Sequence, residues 1–258
     1  MKLIDTHCHL CHGRLRQDAA AAIHRALEAG VVAMICAASD LAESKAALGI
    51  AREYPQVTCL AGVHPHDAKT VSDETLRQIG DLVDKDRNVA LGEIGLDYHY
   101  DFSPREDQQR VFAAQLELAH RRAKKIVIHT REALDDTLAI LAESGFDATR
   151  AAFHSVTADV EGVRRMLETG AMVSFSGIVT FKKTDDLRRA AALVPEDRLM
   201  VETDAPFLSP EPVRKMKTNE PANVVHVARC LAGVRGVSED HLAEQTTANA
   251  VRFFGIEL

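Results

Sequence analysis

His7 and His9 stand two residues apart in DTHCHL, near the start of the chain. On an extended strand this spacing turns both imidazoles to one side, with attachment points roughly 6.6 Å apart, so one metal ion can take both nitrogens. Glu202 and Asp204 repeat the two-residue spacing in VETDAP, and Glu93, His129 and His154 add a carboxylate and two more imidazoles. Four histidines and two or three carboxylates are too many for one tetrahedral ion, but they suit two divalent ions bridged by a carboxylate. The chemistry such a set performs is hydrolysis by metal-activated water. A lone strand histidine is more often a hydrogen-bonded core residue. Here the number of polar groups at comparable positions argues for a metal site.

These residues need elements that bring them to one place. Eight short apolar runs, at 3–10, 31–38, 58–63, 89–96, 126–129, 151–156, 171–175 and 199–203, lack strict polar alternation. That pattern is expected of parallel strands covered on both faces. Helical stretches lie between and after them, at 18–29, 41–53, 73–85, 131–144, 159–169, 185–193, 221–231 and 239–253. A further helix is predicted to begin at SPRE, with Ser103 as N-cap, Pro104 at the first helical position and Glu106 closing a capping box. Strand and helix alternating eight times predict an α/β fold, a single (β/α)8 TIM barrel spanning 1–258 with an additional C-terminal helix. Active sites in such barrels sit at the C-terminal ends of the strands. The unusual polar residues fall there: His7 and His9 on strand 1, His64 and His66 after strand 3, Glu93 and Asp97 on strand 4, His129 on strand 5, His154 on strand 6, Glu202 and Asp204 on strand 8.

The 258 residues carry 31 Lys+Arg against 38 Asp+Glu, a net charge of −7. That balance excludes a protein that coats nucleic acid or an anionic membrane by bulk electrostatics, so any polyanion must meet a local site. No stretch reads as a membrane span or secretory signal, and five cysteines fit reduced thiols, so a cytoplasmic location is expected. Cys8, Cys11 and His12 form CHLCH, the pattern of c-type haem attachment, but its setting in a strand-like segment without an export signal argues against that use.

Taken together, the motifs resemble the TatD-type metal-dependent nucleases of the amidohydrolase-like barrel superfamily. They are DTHCHL at 5–10, GVHPH at 62–66, GEIGLDYHY at 92–100, QRVFAAQLELA at 109–119, VIHTREA at 127–133, FH at 153–154, SFSGIVTFKK at 174–183, VETDAPFLSP at 201–210, NEP at 219–221 and TTANAVRFF at 246–254. The resemblance implies one ion held by His7, His9, Glu93 and Asp204, and a second held by Glu93, His129 and His154, with Glu93 bridging. It also implies DNA as substrate, especially 3′ ends of single strands; RNA stays open. The sequence departs from the family pattern at Cys11, at FHSVTAD after strand 6 and at VRKMKTNEP before the last helices, all in loops at the mouth. Urease-like relatives of the superfamily bridge their ions with a carbamylated lysine on strand 4, where this chain has Glu93.

Catalysis is expected of Asp204, as the base that takes a proton from water, and of Glu93 as the bridge. Magnesium, manganese and zinc all remain open as the ions. Substrate contacts are expected from His64, Tyr98, Arg131, Lys182, Glu202 and Arg214, which follow strand ends and would supply local donors and cations. Lys183 belongs to the same ring, whereas HRRAKK at 120–125 closes a helix at the opposite rim. Tyr98, Tyr100, Phe102 and Phe181 are candidate platforms for bases. No obligatory protein partner is evident. Two other readings remain: a barrel metallohydrolase acting on a lactone, amide or small phosphate ester, and a binder of nucleic acid or protein without turnover.

Overall fold

Val, Ile, Leu and Ala dominate the strand segments because both faces are covered, one by the barrel interior and the other by helices. The computed structural model describes residues 1–258. Its strands are β1 (Leu3–Cys8), β2 (Val31–Cys36), β3 (Val57–Ala61), β4 (Asn88–Asp97), β5 (Ile126–Arg131), β6 (Ala151–Phe153), β7 (Met172–Phe175) and β8 (Leu199–Val201). They pair in parallel, in chain order, in one sheet. The helices are α1 (Ala19–Glu28), α2 (Leu41–Glu53), α3 (Asp73–Val83), α4 (Arg105–Arg121), α5 (Leu134–Glu143), α6 (Val160–Glu168), α7 (Asp185–Ala192), α8 (Val224–Arg235) and α9 (Glu239–Phe254). No helix is long and apolar enough to cross a membrane.

The barrel closes between β8 and β1 through an unusual seam. Asp5 accepts hydrogen bonds from the Thr203 backbone N–H at 2.9 Å and the Thr203 hydroxyl at 2.6 Å. Beyond it, Asp204 N donates to His7 O at 2.9 Å and His9 N to Ala205 O at 2.6 Å. A buried carboxylate thus takes the place of ladder bonds beside the polar centre.

Inside, Ile4, Ile35, Leu60, Ala90, Val127, Ala152, Met172 and Met200 form one layer with a residue from each strand. Phe253, Phe254 and Ile256 at the end of α9 join this cluster and plug the barrel on the side away from the histidines. Above the apolar layer Thr6 and Ser174 meet across the interior at 3.2 Å.

Two local expectations are corrected. Ser103 does not cap α4: its hydroxyl donates to His66 O at 2.7 Å and accepts from Lys69 N, while Pro104 occupies the N-cap position. A capping box does occur at α3, between Ser72 and Thr75. Arg131 is the last residue of β5, paired in register with Asp97, and α5 begins only at Leu134.

Candidate metal centre

Two bulges decide which side chains reach the mouth. Between Asp5 and Cys8 of β1, three residues advance against two of β2, and between Leu91 and Ile94 of β4, three advance against two of β5. Each extra residue flips the alternation of its strand. Below the bulges Ile4 and Ala90 line the interior. Above them His7, His9 and Glu93 do. Close packing at the second bulge requires Gly92, whose added Cβ would lie 2.9 Å from Val127 Cβ.

Glu93, with a side chain only 4% exposed, is the hub. Its Oε2 lies 3.3 Å from His7 Nε2 and 3.5 Å from His9 Nε2. Its Oε1 lies 2.7 Å from His154 Nε2, 3.0 Å from His129 Nδ1 and 3.3 Å from His64 Nε2. Asp204 Oδ1 completes the first group, 3.5 Å from His9 Nε2. All six proposed ligands, His7, His9, Glu93, His129, His154 and Asp204, therefore converge. Burial alone would raise the Glu93 pKa, but His154, His64 and His129 around it hold it well below the usual carboxylate range.

The ring tautomers are set from behind. Asp97 Oδ2 faces His129 Nε2 at 2.9 Å, and Glu202 Oε1 faces His154 Nδ1 at 3.3 Å. Each carboxylate holds a proton on the far nitrogen, so that the neutral ring would offer its near nitrogen's lone pair to the centre. His129 Nδ1 and His154 Nε2 lie 3.3 Å apart, both beside Glu93 Oε1. Burial opposes charge on these rings, but Glu93 pushes the pKa of both up, so this cluster favours positive charge, as a proton or as a metal ion, among its donors. Ligand atoms on a tetrahedral ion with bonds of about 2.1 Å are about 3.4 Å apart, close to the spacings here. The donor set fits divalent metal.

His64 behaves differently. Burial lowers its pKa to about 4, so the ring is neutral. Its Nδ1 accepts from His66 N at 3.1 Å, which leaves the proton on Nε2, 3.3 Å from Glu93 Oε1. His64 is a donor at the centre and offers no lone pair there.

The other expected substrate contacts separate into two sets. Arg131 reaches the mouth, its guanidinium 4.9 Å from the centre of the Tyr100 ring, and Lys182 and Arg214 are exposed in the loops after β7 and β8. Glu202 and Tyr98 are engaged with other side chains of the protein. Glu202 is wholly buried behind His154. Tyr98 is half-buried, with its hydroxyl donating to Asp136 at 2.6 Å and Arg105 stacked on its ring at 4.2 Å. Phe181 is covered by Arg214, with the guanidinium 4.0 Å from the ring centre. Cys8 and Cys11 are buried, and Cys11 Sγ donates to Ala37 O at 3.3 Å. The role of Asp97 was not evident in the sequence, although its place one residue before Tyr98 and four after Glu93 put it on the same strand end.

The family model for TatD related DNase matches residues 4–255, nearly the whole chain. The chain belongs to the TatD family. It is 37% identical over 254 residues to YabD of Bacillus subtilis, named as an uncharacterized metal-dependent hydrolase, covering 98% of this chain and 99% of that protein. It is 34% identical over 259 residues to the 3′-5′ ssDNA/RNA exonuclease TatD of Erwinia tasmaniensis, covering 98% and 100%. The crystal structure of the TatD homologue YjjV from Escherichia coli superposes with a TM-score of 0.93 at 27% identity, covering 99% of this chain and 98% of that one. The TatD fold and the gathered donors make this chain a metal-dependent hydrolase of a phosphodiester-cleaving family.

Proposed function

We propose that this chain uses two divalent ions, magnesium, manganese or zinc, to hydrolyse phosphodiester bonds of DNA, removing nucleotides from the 3′ end of single strands. The observation that carries the reading is Glu93, whose two oxygens face two separate groups of donors, His7, His9 and Asp204 on one side and His129 and His154 on the other. Ions held there supply Lewis-acid charge for a phosphodiester and lower the pKa of water.

The chain's own groups divide the remaining work. Asp204 keeps a side chain 14% exposed, whereas Glu93 is 4% and Glu202 1% exposed, so Asp204 is the carboxylate that water can reach. It accepts the water proton. Burial raises its pKa, but His9 and His154 outweigh this and keep it ionised below its ordinary value, as a base requires. Arg131, Lys182 and Arg214 draw in and hold the strand's phosphates. The name of the Erwinia relative supports single-stranded substrates and the 3′ polarity.

The test is to strip the protein of metal and incubate it with 5′-labelled single-stranded DNA, RNA and simple esters, each with magnesium, manganese or zinc. A ladder shortening one nucleotide at a time from the 3′ end is expected. Cleavage of esters alone, or no product with any ion, rejects the reading.

A further inference from the structure

Tyr100, Phe102 and Phe207 are the exposed members among the Phe and Tyr side chains, at 48%, 56% and 36%, while every other Phe and Tyr is buried or half-buried. Leaving such rings in water forgoes hydrophobic stabilisation, and a chain with a sound core does this three times at one end of the barrel. Tyr100 and Phe102 follow β4, and Phe207 follows β8. In an eight-stranded barrel with strands in chain order, β4 and β8 are diametrically opposite, so the two patches face each other across the mouth.

Both patches are fastened to the centre between them. The Tyr100 and Phe102 rings stack at 5.2 Å and 21°, and the edge of His66 meets Phe102 at 4.7 Å. His66 Nε2 lies 3.1 Å from Asp97 Oδ2, and Tyr100 N donates to Asp97 Oδ1 at 2.9 Å; the same carboxylate orients His129. On the other side, Phe207 N donates to Asp204 O at 2.9 Å, and the ring packs edge-on to His9 at 6.0 Å. Each patch carries a cation: Arg131 lies over Tyr100 at 4.9 Å and Arg14 near Phe207 at 5.7 Å.

We propose that Tyr100–Phe102 and Phe207 are two nucleobase-stacking platforms that hold successive unpaired bases on either side of a phosphate placed over Glu93. Tyr100 is sandwiched between Arg131 and Phe102, so Phe102 and Phe207 offer the open ring area, with Arg131 and Arg14 near for the linking phosphates. Such rings accept any base because every base has a π-face. Bases inside a duplex have both faces covered, so these platforms also favour single strands. The proposal rests on the nuclease reading above.

The test uses the metal-loaded protein and oligonucleotides in which a single abasic site is moved through the last three nucleotides. In the wild type, abasic sites at two of these positions lower kcat/KM about tenfold each, mainly through KM. In Phe207→Ala one of these penalties disappears, and in Tyr100→Ala/Phe102→Ala the other does; Phe207→Trp restores the wild-type pattern. A wild type indifferent to abasic sites, or variant and abasic losses that multiply independently, overturns the platforms while leaving the nuclease reading intact. A wild type that cleaves no oligonucleotide with any ion overturns both.

Discussion

His9 lies 3.5 Å from both Glu93 Oε2 and Asp204 Oδ1. Burial opposes its cation, yet Asp204 and Glu93 outweigh this and push its pKa up to about 9. In the ion-free protein, protons therefore occupy the place of metal up to that pH. Ligation needs the neutral ring, so metal binding releases protons and tightens as pH rises toward about 9. Calorimetry at pH 7 in two buffers of different ionisation enthalpy should show proton release, and affinity that is flat between pH 6 and 9 would contradict it. Asp204→Asn should keep part of its metal but lose about 10²- to 10⁴-fold in kcat; wild-type turnover with full metal content would remove its role as base. Glu202→Gln keeps the volume but weakens the anchor on His154, and about 10- to 100-fold weaker metal binding is expected in a chelator competition. The ligand candidates were legible from histidines and carboxylates at strand ends. What Asp97, Glu202 and His64 do was not, because it depends on which ring nitrogen meets which oxygen.

Strand order, too, was legible from eight apolar runs, but the bulges were not, since composition does not reveal an extra residue in a ladder. The spacing of His7 and His9 predicts a shared side, while their placement above Ile4 needs the bulge between Asp5 and Cys8. Ser103 misleads for a related reason: its hydroxyl is claimed by His66 O from another loop, so a local motif yields to a tertiary bond. β4 offers a direct check on this coupling of strand and site. Gly95 has φ +139, and an added Cβ would lie 2.0 Å from the carbonyl oxygen of His129, its partner on β5. Gly95→Ala must part the strands or shift His129, so destabilisation by about 2 kcal/mol or more is expected, a fall in Tm of about 4 °C or more, together with weaker metal binding. An unchanged melt would show that the ladder there is not tight.

At the scale of the molecule the two ends of the barrel have separate duties: α9 closes one with Phe253 and Phe254, and the polar centre opens at the other. Net charge was legible at once, but its distribution was not. A chain of charge −7 repels a polyanion over most of its surface, so binding must depend on a few cations near the mouth. Lys182 and Arg214 are exposed there, whereas Arg121 and Lys124 stand at the end of α4, on the opposite rim. Each phosphate contact on a single strand contributes about 0.7 to the slope of log affinity against log salt. Binding of fluorescent single-stranded DNA to the turnover-deficient Asp204→Asn protein, measured by anisotropy between 50 and 200 mM salt, reads that slope directly. Lys182→Ala/Arg214→Ala should weaken binding and reduce the slope by about 1.4, while Arg121→Ala/Lys124→Ala should leave both nearly unchanged. Equal effects from the two pairs would mean that the whole surface charge governs binding, and an unaltered slope in the first pair would remove Lys182 and Arg214 from the strand's path.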